Sequence, residues 1–495
     1  MSTVDTTPAR PGRFQEVWLL ILALSIPLCA WILITSNISA DGKLTLPQMF
    51  LPITIAAIVL VFGAHVMIRT CAPWADPILF PTAVALNGLG LAMIHRIDYS
   101  LIEQGDHAEV PNQLILSGGG IVLMMATIGI IKDHRRLRKF TYISLIVGII
   151  LLILPLTPGL GVNAYGARLW INLFGFSFQP AELAKICFAV FFSGYLVSQR
   201  DNLALAGPKI LGIQFPQLRH FAPIFLAWGI CLGILAFEND FGTALLFFSL
   251  FVAMLYVATQ RISWIIIGLL LSTGGIAFII KVAPHVQNRI TIWLHALDPV
   301  IYDRSPGSYQ LVQGLFGMAN GGLFGTGWAE GYPANAFAAN SDFIIPSLGE
   351  ELGLTGVLAI LCLFLLFVER AISTGLHLND GFGKLLATGL GFTIAIQCFV
   401  VVGGISRVIP LTGLAMPFMA LGGSALLTNW IIVGILLRMS DDARRPALDS
   451  PIPISMIDTG ELSKILGDDS IEDTPLTDPK DRDDSDSHPT QVVHL

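Results

Sequence analysis

The chain has 495 residues, of which 54% are hydrophobic and only 13% are charged, and its mean hydropathy is +0.71. Soluble proteins carry about 25% charged residues, so these values exclude a soluble globular enzyme and a disordered chain. The formal net charge of −7 excludes a nucleic-acid binder, which needs a basic surface. The composition therefore predicts a multi-pass membrane protein.

Hydropathy along the chain predicts an all-α, polytopic integral membrane protein. A helix crosses a bilayer with about 20 apolar residues, and the chain has about twelve such runs. They lie near residues 17–36, 49–69, 78–95, 113–131, 140–155, 181–198, 220–237, 240–258, 263–282, 343–369, 384–404 and 411–438. No small-residue cleavage site follows the first run, so we expect a retained helix rather than a signal peptide.

The distribution of Lys and Arg predicts the orientation in a plasma membrane. With both termini in the cytoplasm, most basic residues, including the run from Lys132 to Lys139, lie on the cytoplasmic side, as the positive-inside rule requires. Residues 1–16 then form a cytoplasmic N-terminus and residues 17–440 the transmembrane domain. The tail, 441–495, repeats Asp, Ser and Pro and is predicted to be an acidic, disordered cytoplasmic segment.

One connection, about residues 283–342, is much longer than the others and is predicted to be a large extracellular loop. It is rich in Gly, Asn and aromatic residues, so we expect it to fold onto the membrane surface rather than stay unstructured. Within it, the run from Gly321 to Gly327 has no preceding strand and no following Lys, which excludes a phosphate-binding loop.

Charged side chains in or beside the spans cluster on the predicted outer side, and such groups usually bind a ligand or form a structural pair. Glu182 and Lys185 share one helix face, which suits either an ion pair or a substrate site. Asp342 begins a span, where it either caps the helix or acts on a substrate. For Glu350 and Glu351 the favoured interpretation is structural, with one carboxylate pairing a buried cation and the other accepting from backbone.

Ordered motifs between about residues 166 and 430 identify a family. The matching segments are Gly166–Ile171, Phe178–Lys185, Asp240–Thr243, Arg289 with Trp293, Tyr309–Gln313, Gly321–Gly327, Ser341–Ile344, Gly349–Gly353, Pro410–Gly413 and Gly422–Ser424. Together they resemble the signature of the SEDS proteins (shape, elongation, division and sporulation), the RodA/FtsW-type family. Ala181, Phe241 and Ala420 depart from the usual family residues. The five spans before Gln179, with the segment 86–98, resemble the RodA branch of actinobacteria.

The resemblance implies a peptidoglycan glycosyltransferase that polymerises lipid II at the outer face of the bacterial plasma membrane during cell elongation. It implies a class B penicillin-binding protein, a transpeptidase, as partner. Asp342 is implied as the catalytic general base. The residues implied to bind substrate are Arg168, Gln179, Glu182, Lys185, Asp240, Arg289, Tyr309, Gln313, Glu350 and Ser424. No cofactor is certain, and a divalent cation, Mg²⁺ or Mn²⁺, stays open.

Two other function classes compete with the polymerase. A lipid II flippase needs polar residues through the membrane midplane, whereas the charges here gather at the outer face. A non-catalytic scaffold that activates the transpeptidase would still support growth after Asp342→Ala. The same substitution therefore discriminates between all three hypotheses.

Overall fold

The computed structural model describes residues 14–38, 50–103, 107–164, 167–173, 176–199, 206–210, 213–216 and 222–446. These residues are mostly helical with a few short strands, which confirms the predicted all-α, polytopic architecture. The chain divides into Met1–Arg445 and Pro446–Leu495. The predicted tail beyond residue 446, the first 13 residues and Gly166 of the first motif lie outside the described residues.

Fifteen α-helices occur in the described part of the chain, and twelve of them match the predicted spans. The helices are α1 (Phe14–Ile38), α2 (Phe50–Cys71), α3 (Leu79–Glu103), α4 (Val110–Ile130), α5 (Thr141–Ile153), α6 (Pro180–Ser198), α7 (Ala222–Glu238), α8 (Phe241–Thr259), α9 (Ser263–Val282), α10 (Pro284–Leu294), α11 (Pro299–Asp303), α12 (Tyr309–Gly321), α13 (Ile344–His377), α14 (Gly381–Ile405) and α15 (Gly423–Arg444). Short 3₁₀ helices cover His134–Phe140, Leu154–Leu156 and Pro333–Asn335.

Ten helices in the described residues are long and apolar enough to cross a membrane, judged by length and composition. The two remaining predicted spans are α3 and α7. Polar side chains such as Asn87, Arg96 and Asp98 interrupt the apolar run of α3, and α7 has a shorter apolar stretch, Phe225–Glu238. The predicted start of the last span at residue 411 is wrong, because α15 begins only at Gly423.

Five short strands in the described part of the chain, which hydropathy did not predict, form two antiparallel sheets. Gly161–Ala164 (β1), Ala167–Leu173 (β2) and Phe176–Phe178 (β3) make a meander directly before α6. Val162 pairs with Trp170, and Ile171 pairs with Phe178. The second sheet joins β4 (Ala206–Ile210) to β5 (Ile213–Pro216). The meander fixes where the chain enters α6 and therefore where Gln179 lies.

The glycine-rich run from Gly321 to Gly327 packs against a break in α13. Gly353 interrupts that helix with a φ of 68°, and a Cβ there would lie 2.3 Å from the backbone nitrogen of Gly325. On either side of the break, Thr326 N donates to Glu350 O at 3.0 Å and Leu354 N donates to Gly322 O at 3.0 Å. These glycines have a structural role, because they allow the two backbone segments to pack closely. This role agrees with the sequence-based exclusion of a phosphate-binding loop.

Large aromatic side chains fill the core between the helices. Trp430 of α15 is fully buried, with its ring centroid 6.2 Å from that of Phe80 and 6.0 Å from that of Phe418. A Cβ on Gly120 of α4 would lie 2.2 Å from Trp430 Cδ1, so α4 and α15 meet through a glycine. Between membrane helices such side chains stabilise the bundle through van der Waals packing rather than through removal from water. Residues at the starts of α6, α8, α13 and α15 line one common cleft, so these four starts lie at the same end of the bundle.

Candidate active site

The helix starts at this end surround a cleft of about 1230 Å³. The cleft lies between the meander, α10 of the long loop, the turn before α13 and the irregular segment 406–422. Six of the predicted site residues line it: Gln179, Glu182, Asp240, Arg289, Asp342 and Ser424. The fold therefore brings together side chains that are spread over about half the chain.

Asp342 lies in the turn before α13, in the wall of the cleft. The residue that caps α13 is Phe343, and no side-chain hydrogen bond caps this helix, so the capping interpretation of Asp342 does not apply. Burial raises the pKa of the Asp342 carboxyl, and the positive charge of Arg289 lowers it in part. Gly413 stands opposite with a φ of 76°, and a Cβ on it would lie 3.7 Å from Asp342 Oδ2. Asp342 is thus a half-buried carboxyl that lines the open cleft.

Arg289 of α10 lies between two acidic groups. Its Nη1 donates to the carbonyl oxygens of Leu411 at 3.4 Å and Thr412 at 3.2 Å, which anchors the guanidinium to the segment before α15. Burial lowers the pKa of Arg289, while the charges of Asp240 and Asp342 raise it in part. A guanidinium held by neutral carbonyls keeps most of its charge available for an anion.

Asp240 caps α8 at the rim of the cleft. Its Oδ1 accepts a hydrogen bond from Thr243 N at 3.0 Å. Its Oδ2 is buried and has no hydrogen-bond partner among the described residues. Burial raises the pKa of Asp240 and the nearby charge of Glu182 raises it further, while the hydrogen bonds from Thr243 and the charge of Arg289 oppose the rise. The fold therefore uses only one of the two oxygens of the Asp240 carboxyl group.

Glu182 and Lys185 form the ion pair that the sequence allowed. The Lys185 Nζ lies 2.5 Å from Glu182 Oε2, and the lysine side chain is only 1% exposed. Nζ also lies 3.1 Å from Gln397 Oε1 and 3.4 Å from Asn429 Oδ1, so it joins α6 to α14 and α15 behind the cleft. Glu182 lines the cleft and Lys185 does not. Nearby, Gln179 N donates to Ser424 Oγ at 2.8 Å, which joins the starts of α6 and α15.

The other predicted residues lie away from the cleft lining. Arg168 is exposed on β2, next to Leu169, which does line the cleft. Tyr309 Oη donates to Asn335 O at 3.4 Å. Gln313 Nε2 donates to Tyr302 Oη at 2.8 Å.

Gln313 and Glu350 line a separate cavity of about 210 Å³ between α12 and α13. Glu350 Oε1 accepts from Asn320 Nδ2 and from Tyr332 N, both at 3.1 Å. Glu351 lies 2.9 Å from Arg96 Nε. One glutamate thus pairs a buried cation and the other accepts from backbone, as the structural interpretation expects.

Several cleft residues were not predicted from the sequence. His285 lines the cleft one helical turn before Arg289, and its ring centroid lies 5.2 Å from that of Phe241. Burial, followed by the charge of Arg289, lowers the pKa of His285. Asn340 and Thr412 also line the cleft. The only sequence signal for His285 is its spacing of four residues from Arg289, which places both on one face of α10.

At the opposite end of the bundle, three ligand-type side chains meet. His134, Asp380 and Asp442 form the only cluster of three such groups close enough for a metal ion that occurs in the described residues. His134 Nε2 lies 2.9 Å from Asp380 Oδ1, and Arg135 lies within 3.6 Å of both aspartates. The arginine already supplies the positive charge that these carboxylates need, so the cluster is a structural clamp.

Comparisons with known proteins agree with the motifs. A family model described as "Cell cycle protein", covering FtsW, RodA and SpoVE, matches residues 77–445. The chain is 41% identical over 469 residues to the peptidoglycan glycosyltransferase RodA of Mycobacterium bovis, which covers 93% of this chain and 98% of that protein. It is 39% identical over 473 residues to RodA of Mycobacterium leprae, with the same 93% and 98% coverage.

A solved peptidoglycan synthase complex contains a chain with a similar fold. It is described as "Structural coordination of polymerization and crosslinking by a peptidoglycan synthase complex", and the similarity covers 80% of this chain and 98% of that chain. The TM-score is 0.51 and the sequence identity is 22%.

Proposed function

Because this chain belongs to the FtsW/RodA/SpoVE family of cell cycle proteins, we propose that it is a peptidoglycan glycosyltransferase of the RodA type that polymerises lipid II. Its relatives from Mycobacterium carry that enzymatic name and match nearly their whole length. The observation that carries the proposal is the cleft itself, where the carboxyl of Asp342 lies close to the guanidinium of Arg289, both of them half-buried. A base beside an anion-binding cation is what glycosyl transfer from a pyrophosphate requires.

The proposed reaction joins two lipid II molecules. A sugar hydroxyl of one molecule attacks the anomeric carbon of the other, and a new glycosidic C–O bond forms. The bond between that carbon and the polyprenyl pyrophosphate breaks, and the pyrophosphate leaves with the bonding electrons. Asp342 accepts the hydroxyl proton, because its carboxylate has no capping role that would occupy it. Arg289 stabilises the negative charge that develops on the leaving pyrophosphate.

The cleft suits a substrate with a polar head and a lipid tail. Apolar residues Ile97, Leu101 and Ile292 lie in the same lining as the charged groups. The protein is a multi-pass membrane protein. We propose that both termini are cytoplasmic, which puts the cleft at the outer face, where lipid II is consumed. The basic run from Lys132 to Lys139 then lies in the cytoplasm.

A class B penicillin-binding transpeptidase is the proposed partner. The solved structure with a similar fold is of a complex that coordinates polymerization with crosslinking. Newly made strands must be crosslinked to the wall, so a polymerase and a transpeptidase act on the same product in sequence. The resemblance to the SEDS family implies the same pairing.

The test is a polymerisation assay with the purified full-length chain, lipid II and the partner transpeptidase. The expected product is a ladder of glycan strands with the wild-type chain and none with Asp342→Ala. Asp298→Ala serves as the matched control, because Asp298 caps the short helix α11 and does not line the cleft. Normal strands from Asp342→Ala would refute the mechanism, and transport of lipid II that survives this substitution would favour a flippase.

A further inference from the structure

The smaller cavity of about 210 Å³ between α12 and α13 holds an acidic group without a counter-charge. Ala336 lines both this cavity and the cleft, so the two spaces share a wall. Glu350 is the only charged residue in the described lining of the cavity. It forms no ion pair within the described residues, whereas its neighbour Glu351 pairs with Arg96. The cavity therefore suits a ligand that brings a positive charge.

The fold uses one of the two carboxylate oxygens of Glu350, which is only 5% exposed. Oε1 accepts hydrogen bonds from Asn320 Nδ2 and Tyr332 N, both at 3.1 Å, while Oε2 accepts none from the described residues. Gly317 of α12 lies beside Oε2, and a Cβ on this glycine would lie 3.2 Å from that oxygen. The absence of a side chain on Gly317 thus keeps space open next to Oε2.

Other residues of the cavity match the chemistry of an ammonium group. Asn320 and Gln313 donate hydrogen bonds within the fold through their amide nitrogens, which leaves their amide oxygens as acceptors. Together with Glu350 Oε2 they offer three acceptors, and an ammonium group carries three donors. Tyr332 and Phe316 also line the cavity and are 71% and 57% exposed, as residues at a rim are. Aromatic rings of this kind attract an ammonium group.

We propose that this cavity binds the primary ammonium group of a diamino acid in the peptide of lipid II, with Glu350 Oε2 as its counter-charge. The assignment rests on the proposed function for the identity of the substrate. Lipid II carries a short peptide on one of its sugars, and a free amine on this peptide supplies a cation. The sugars are neutral and the pyrophosphate is anionic, so the peptide amine is the group that fits.

The separation between the cleft and the cavity suits such a peptide. Gln310 lines the cleft and Gly317 lines the cavity, and both lie on α12. Seven residues of helix span about 10 Å, and about three extended peptide residues cover the same length. A peptide attached to a sugar in the cleft can therefore reach Glu350 by running along α12.

Substrate preference tests the site. Polymerisation is measured with the full-length chain and the partner transpeptidase, whose crosslinking is blocked by a β-lactam, on lipid II with the peptide amine either free or acetylated. The wild type should show a kcat/KM at least about tenfold higher for the free amine, because a charge-assisted hydrogen bond is lost on acetylation. Glu350→Gln should show nearly equal values, while its Oε1 still accepts from Asn320 and Tyr332. A preference that persists in Glu350→Gln, or no preference in the wild type, would overturn the proposal.

Filling the space beside Oε2 gives a matched test that leaves the carboxylate in place. Gly317→Ala puts a methyl group next to Oε2, and alanine favours the helical conformation of α12 more than glycine does. This variant should lose the preference for the free amine. Gly233→Ala, at a position in α7 where a Cβ would have open space around it, should keep the preference. A preference retained by Gly317→Ala would count against the cavity as the binding site.

A binding measurement separates this proposal from the proposed function. Saturation-transfer NMR of the isolated peptide with the full-length wild-type chain should show contacts at the amine-bearing side chain. These contacts should be lost with the acetylated peptide and with Glu350→Gln. If the wild type makes strands from both substrates at equal rates, the ammonium site alone is refuted. If it makes no strands at all, the proposed function fails, and the NMR contacts still decide whether the cavity binds an amine.

Discussion

Asp240 and Asp380 hold the same position on two helices at opposite ends of the bundle, yet their surroundings differ. Both cap a helix, with Asp240 bonded to Thr243 N at 3.0 Å and Asp380 to Gly383 N at 2.7 Å. The second oxygen of Asp380 lies 2.9 Å from His134 Nε2 and within 3.6 Å of Arg135. The second oxygen of Asp240 is buried and has no such partner in the described residues.

For this reason the pKa values of the two carboxyls are shifted in opposite directions. Burial on its own raises the pKa of Asp380, but the hydrogen bonds from His134 and Gly383 and the charges of His134 and Arg135 lower it to about 2. At Asp240, burial dominates and raises the pKa. Charges that the fold satisfies hold it together, whereas charges that the fold leaves unsatisfied are available to a ligand.

The largest effect is expected from breaking the buried ion pair between Lys185 and Glu182. Lys185→Met leaves Glu182 buried and unpaired, and it removes the contacts with Gln397 and Asn429. Unfolding should become easier by about 3–5 kcal/mol. Chemical denaturation of the detergent-solubilised chain measures this change. The double variant Lys185→Met with Glu182→Leu should recover much of the loss, and a double variant as unstable as the single one would argue against a structural pair.

Removing the cation of the cleft should affect turnover and leave the fold intact. Arg289→Met is expected to lower the rate of lipid II polymerisation about 10²–10³-fold, as loss of one charge-stabilising group does in other active sites. Arg370→Met at the opposite end, where the arginine pairs with its neighbour Glu369, is the matched control. Similar rates for the two variants would remove Arg289 from the mechanism.

On acidification, turnover, which depends on Asp342, should fall at a higher pH than the stability contributed by Asp380. Asp342 acts as a base only when it is ionised. Because its pKa is raised, turnover should begin to fall at a higher pH than it would with an ordinary carboxyl. Asp380 has a lowered pKa, so its contribution to stability is present above about pH 3.9, the ordinary value. That contribution is lost only as the pH falls towards about 2.

A pH series of turnover and of thermal stability measures both changes on one sample. Asp380→Asn should remove the acid-sensitive part of the stability, about 1–3 kcal/mol, without moving the turnover profile. Turnover and stability that fall together in the wild type would mean that unfolding, rather than protonation of Asp342, stops the reaction.

The smallest effect concerns the space in front of Asp342. Gly413 has a φ of 76°, which an L-residue adopts with strain, and its missing Cβ leaves room beside Asp342 Oδ2. Gly413→Ala should destabilise the fold by about 1 kcal/mol and lower turnover slightly. Gly159→Ala, at a φ of 88° with open space around it, is the control for strain alone. Equal turnover in both variants would show that the space is not used.

Much of the helical framework could be predicted, because hydropathy reports membrane helices directly. All twelve predicted spans overlap helices in the described residues. The start of α15 could not be predicted, since the apolar run continues through Pro417 and Phe418, where the chain turns with a φ of 63° at Phe418. Hydropathy measures apolarity and is blind to such turns.

The cleft was predictable only through the family motifs, because its residues meet from distant parts of the chain. Periodicity could not show that Arg289 faces both Asp240 and Asp342. It also could not separate Glu182, which lines the cleft, from Glu350, which lines a smaller cavity. His285 belongs to no quoted motif and was missed for that reason.

Asp342 takes part in the proposed reaction, whereas Asp380, which the fold already pairs with His134, does not. Lipid II polymerisation by Asp342→Asn, measured beside Asp380→Asn at matched amounts of folded protein, tests it most directly. We expect a loss of about 10²–10⁴-fold for Asp342→Asn, the usual contribution of a general base, and near wild-type turnover for Asp380→Asn. Full turnover by Asp342→Asn, or an equal loss in both variants, would contradict it.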